Sequence, residues 1–123
     1  MKKVANVLIA IVAIEHLLFL VLEMFLWTSP TGMRIFGTTP DFATQSAALA
    51  ANQGLYNGFL AAGLIWSLLR KDDADALKIF FLACVVIAGV FGGLTAKASI
   101  LFVQGMPPLA ALLLVIFNRR KAT

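Results

Sequence analysis

Apolar positions in this chain run in long blocks, and most polar positions gather between them. Four blocks reach the length of about 20 mainly apolar residues that a bilayer-crossing helix needs: about Val4 to Trp27, about Ser46 to Leu69, about Leu77 to Ala96, and about Ser99 to Phe117. The stretch "TSPTGMRIFGTTPDF" closes the first block with Pro30 and Gly32 in a turn-forming cluster. The second block ends at "RKDDAD", and Lys97 marks a very short connection between the third and fourth. Thr39 followed by Pro40 reads as an N-cap with proline at the first helical position, so the second helix is expected to start ahead of its apolar run. Apolar runs near twenty residues satisfy their own backbone as helices and not as barrel strands. The pattern therefore predicts an all-α fold, an integral membrane four-helix bundle, with residues 1–123 forming a single membrane domain and no repeat or soluble linker.

Composition sharpens the setting. Hydrophobic residues make up 61% of the chain and charged ones 13%, with a mean hydropathy of +0.94. Soluble domains hold about half apolar and a quarter charged residues, so the chain belongs in a bilayer. Lysine and arginine then orient it. Lys2 and Lys3, then Arg70, Lys71 and Lys78, then Arg119, Arg120 and Lys121 fall on one side of a four-span arrangement, against Arg34 and Lys97 on the other. Short basic segments stay in the cytoplasm, so both termini are expected inside. Charge facing a membrane surface accounts for the basic character, and no nucleic-acid partner is expected. "MKKVANVLIA" has the start of a secretory signal, but its apolar run continues past a signal's core and no small-x-small cleavage site follows, so the first helix is expected to be retained. Cys84 stands alone, which leaves no disulfide, C-x-x-C pair or thiolate metal cluster within one chain.

Within the first block, "AIEHLLFLVLEMFLW" carries Glu15, His16 and Glu23. At 100° per residue His16, Leu20, Glu23 and Trp27 fall within about 60° of one another, and Glu15 lies about 100° to one side. At 1.5 Å per residue, Glu15 and His16 sit near the bilayer centre and Glu23 about 10 Å further out. Exposing such groups to lipid costs about 2.5 kcal/mol or more, so they are expected to face protein or a wet cavity. The second block offers partners in "NQGLYNG": Asn52 and Gln53 near the level of Glu23, and Tyr56 and Asn57 near that of His16. Gly54, Gly58 and Ala61 form a separate small-residue ridge suited to close helix approach, and the third block repeats the device with Gly89 and Gly93. These glycine faces also offer surfaces for a homo-oligomer. In the fourth block, Pro107 and Pro108 deprive the carbonyls of Val103 and Gln104 of their helical donors, and Gly105 loosens the backbone there.

The ligand-binding candidates are therefore Glu23, His16, Asn52, Gln53, Tyr56, Asn57 and Gln104, and Glu23, His16 and Glu15 are the candidates for acid and base chemistry. One histidine with no E-x-x-H pair supports no metal site, and no cofactor is implied. Ser46 and Ser99 lie in no nucleophile-elbow context.

Across nearly all of its length the chain resembles the small bacterial membrane proteins of domain-of-unknown-function family 1304. The likeness rests on "EHLLFLVLEMFLW", on "ANQGLYNGFLAAGL" and on "VQGMPPLAALLL", in that order. It implies a compact multi-pass protein of the bacterial cytoplasmic membrane and supplies no activity. Two function classes follow from the residues. One is a binding or transport module, in which Glu23 and His16 exchange a proton and the amides hold a small solute or lipid headgroup. The other is a membrane-embedded acid/base enzyme, such as an isomerase or hydratase of an apolar lipid or isoprenoid, with Tyr56, Phe19 and Trp27 as an aromatic wall. A third reading makes the chain a structural or accessory subunit, its polar side chains serving only to fix helix register.

Overall fold

The computed structural model describes residues 1–121. Among them the chain is all-helical, with α1 (Lys2–Met24), α2 (Pro30–Phe36), α3 (Pro40–Leu69), α4 (Ala74–Thr95) and α5 (Ala98–Arg120). Helices α1, α4 and α5 are long and apolar enough to cross a membrane, which matches the first, third and fourth apolar runs. Helix α3 is longer, at 30 residues, but Asn52, Gln53 and Asn57 in its middle lower its hydropathy, and it does not stand with the other three by composition.

Local chemistry sets the helix ends. Thr39 Oγ1 accepts from the Phe42 amide at 3.3 Å and Pro40 opens α3, as the Thr-Pro pair foretells. The segment expected to be only a turn contains α2 as well. Ser29 caps it by accepting from the Gly32 amide at 3.0 Å, Pro30 occupies the first turn, and Gly37 closes it with a left-handed φ of 67°. A Ser-Pro start and a Gly stop lie in the sequence, but seven residues with little apolar periodicity give a weak helical signal.

The chain divides into two compact units, one of Met1–Ala13 with the residues from Ala62 onward, the other of Ile14–Ala61. In the first, α4 packs on α5 through small residues. A Cβ added at Gly89 would lie 2.8 Å from the Gly105 Cα, and one at Gly93 would lie 2.7 Å from the Leu101 Cβ. Leu82, Val85 and Gly89 of α4 are buried, as are Gly105, Pro108, Ala111 and Val115 of α5. Helix α5 widens to a π-helical turn over Leu101–Gly105, immediately before the prolines that remove two backbone donors. Gly63 of α3 lies against the Phe81 ring, and Ala5, Ile9 and Val12 add the buried side of α1. In the second unit, Gly54 and Gly58 of α3 lie against Leu20, Glu23 and Met24 of α1. Gly54 and Gly58, like Gly89 and Gly93, each lie against a neighbouring helix of the same unit.

The outward faces are as apolar as the core. Val4, Val7, Ile11, Ile14, Leu18 and Val21 form an exposed stripe at helical spacing along α1. Phe80, Ile87, Phe91 and Leu94 are exposed on α4, and Phe102, Met106, Leu113 and Phe117 on α5. Water tolerates no apolar surface of this extent on a monomer, whereas hydrocarbon solvates it without cost.

Candidate functional site

Glu15, His16, Glu23, Asn52, Gln53, Tyr56 and Asn57 all belong to the Ile14–Ala61 unit. The glycines of α3 bring its backbone close to α1, and the site is built on that approach. With Gly54 and Gly58 aimed at α1, the 100° step places Asn57 about 60° from Gly54, at the edge of the contact. Its Nδ2 donates to Glu23 Oε2 at 2.9 Å, a side-chain hydrogen bond that joins the two helices through residues 34 apart in sequence. A bond to a carboxylate inside a bilayer both satisfies the acid and fixes helix register.

The register differs from the one expected. Depth along the helices puts Asn57 level with His16, yet it meets Glu23, about two turns further along α1. The glycine contacts impose this: Gly58 sits on Leu20, and Gly54 on Glu23 and Met24. Asn52 and Tyr56 lie about 160° from Gly54 on the wheel. Accordingly Asn52, Gln53 and Tyr56 are exposed on α3, with the Tyr56 ring edge-on to Phe59 at 5.9 Å.

His16 is buried, with 2% of its surface exposed, and its ring meets Phe19 edge to face at 6.1 Å. Glu15 is half-buried, and its Oε1 is buried with no hydrogen-bond partner among the described residues. An unmet buried carboxylate oxygen is unusual, because native structures pair nearly all such atoms. Gln104 is half-buried on the π-helical turn of α5, in the other unit. The three aromatic residues expected to form one wall have separate neighbours: Phe19 meets His16, Tyr56 meets Phe59, and Trp27 packs on Phe36 at 4.8 Å. Trp27 Nε1 also donates to Ser46 Oγ at 3.0 Å, a tie between the end of α1 and the start of α3. Nothing in the spacing of these two residues announces that bond. No group of three or more His, Cys, Asp or Glu side chains is gathered among the described residues.

Helices of membrane-crossing length with apolar outward faces define a helical membrane protein. The chain belongs to the family described as protein of unknown function DUF1304, whose profile matches residues 10–116. It is similar to an uncharacterized protein, YpaA, of Lactococcus lactis subsp. lactis (strain IL1403), with 28% identity over 113 residues, covering 90% of this chain and 95% of that one. No solved structure matches the chain.

Proposed function

We propose that this protein is a four-span protein of the bacterial cytoplasmic membrane that binds a small solute or lipid through the intramembrane acids of α1, with protonation of these acids and of His16, relayed through the bound solute or water, linking binding to transport. The observation that carries the reading is the buried, unpartnered Oε1 of Glu15, beside buried His16 and two turns from the Glu23–Asn57 bond. A carboxylate so placed calls for a hydrogen-bond donor that the described side chains do not supply. An ammonium or hydroxyl group on an otherwise apolar ligand has the matching chemistry.

In this reading α3 is the fourth span. Its amides make it too polar by composition: Asn57 is met by Glu23, close packing through Gly54 and Gly58 holds α3 on α1, and the exposed Asn52 and Gln53 face water or a polar partner and not lipid. Both termini lie inside. The start of α1, the start of α4 and the end of α5 line one cleft through Lys2, Lys78 and Asn118, which supports a common side for these basic ends.

The test is native mass spectrometry of protein extracted gently from membranes, comparing wild type with Glu15→Gln and Glu23→Gln. Wild type is expected to carry a small-molecule adduct that both variants lose while still inserting in the membrane. Adduct-free wild type, with both glutamine variants at least as stable, would make the acids structural and overturn the proposal.

A further inference from the structure

Away from the acids of α1, a cleft of about 70 Å³ opens where three helix ends meet. It is lined by Lys2 and Asn6 of α1, Asp75 and Lys78 of α4, and Val115 and Asn118 of α5, all within one compact unit. Lys78 Nζ donates to Asn6 Oδ1 at 2.9 Å, which fixes the ammonium over the cleft and leaves it further donors. Two ammonium groups outweigh the single carboxylate, and two carboxamides add neutral donors. Helix α4 begins at this end with Asp75 in its first turn, where the carboxylate offsets the helix dipole, so the attraction for an anion rests on the two lysines and the carboxamides.

We propose that this cleft binds the phosphodiester of an anionic phospholipid. Its volume is about that of two water molecules in the liquid, a scale that suits one tetrahedral oxyanion. The surroundings favour a lipid over a free anion. Val4, Phe80 and Phe117 are exposed on the same helical turns that line the cleft, giving acyl chains an apolar surface to follow away from the headgroup. Basic clefts between membrane helices hold lipid headgroups by this combination of charge and depth. The proposal does not depend on the acids of α1, and its test leaves them unchanged.

Purified protein in uncharged detergent is titrated with phosphatidylglycerol, phosphatidylcholine or inorganic phosphate, and bound lipid is counted by native mass spectrometry. Wild type is expected to retain one phosphatidylglycerol per chain in preference to phosphatidylcholine, with no displacement by millimolar inorganic phosphate. Lys78→Gln and Lys2→Gln are each expected to weaken retention about fivefold, the equivalent of one ammonium near a membrane surface. Lys2 is exposed at the chain start, so its variant keeps the test sound if Lys78→Gln fails to fold. Asp75→Asn, which removes the one negative group in the lining, is expected to tighten binding. Lys71→Gln alters a basic residue of the α3–α4 connection that is outside the lining and is expected to change nothing. Equal retention of phosphatidylcholine, displacement by inorganic phosphate, or an equal loss in Lys71→Gln would overturn the proposal.

Discussion

Substituting Gly54 by alanine couples the packing of α3 on α1 to the geometry of the acid. The added Cβ would lie 2.7 Å from Met24 Cγ, 3.1 Å from Glu23 Cβ and 3.1 Å from the carbonyl oxygen of Leu20. Carbon atoms rest at about 3.5–4.0 Å, and two of these neighbours are fixed to the α1 backbone, so the helices must separate by about half an ångström. Asn57 lies less than one turn further along α3. Its 2.9 Å bond to Glu23 then lengthens toward about 3.4 Å, where a hydrogen bond retains little strength. Overpacking costs about 1–3 kcal/mol and a lost interhelical bond in a membrane about 0.6 kcal/mol. The assay is a double-mutant cycle of Gly54→Ala with Asn57→Leu, read by reversible unfolding in mixed micelles. Gly54→Ala is expected to destabilise, and Asn57→Leu to cost about 0.5 kcal/mol less in that background than in wild type. Wild-type stability for Gly54→Ala, with an unchanged cost for Asn57→Leu, would mean that Gly54 does not set the spacing on which the Asn57–Glu23 bond depends.

Gly89→Ala is expected to cost more than Gly92→Ala in the same unfolding measurement. Its Cβ would meet only backbone of α5, at 2.8 and 2.9 Å from Gly105, whereas at Gly92 the nearest atom is a side-chain carbon of Ile100 at 3.0 Å. Thr39→Ala removes the acceptor for the Phe42 amide and is expected to lose about 1 kcal/mol, with faster hydrogen exchange confined to the first turn of α3. Trp27→Phe removes the donor to Ser46 but keeps a ring against Phe36, so it is expected to loosen the start of α3 by at most about 1 kcal/mol, seen as faster exchange around Ser46.

The membrane-length helices α1, α4 and α5 are legible because an apolar run of span length has few alternatives. The start of α3 is legible because Thr39 and Pro40 carry their own local chemistry. The widened turn of α5 follows from what Pro107 and Pro108 lack. Helix α2 is harder to read, since its seven residues are held by caps and not by an apolar stripe. The pairing of Glu23 with Asn57 shows the limit for the site. Depth counted from helix ends places Asn57 against His16, but register is set by Gly54 and Gly58 seating on Leu20 and Met24. A wheel shows that Asn52, Gln53, Tyr56 and Asn57 occupy one broad arc, and only the helix contact shows which edge of it meets α1. The cleft of Lys2, Asn6, Lys78 and Asn118 draws on segments far apart in sequence, and no local spacing marks it.

The most direct test of the intramembrane site is a high-resolution crystal structure grown from a lipid mesophase, examined around Glu15, His16 and Glu23. A working site at Glu15 requires a ligand or ordered water donating to its Oε1, with the Asn57–Glu23 bond intact beside it. A dry seam, in which Glu15 takes a donor from the protein itself and every polar atom is paired, would contradict it and leave these acids as fasteners between helices.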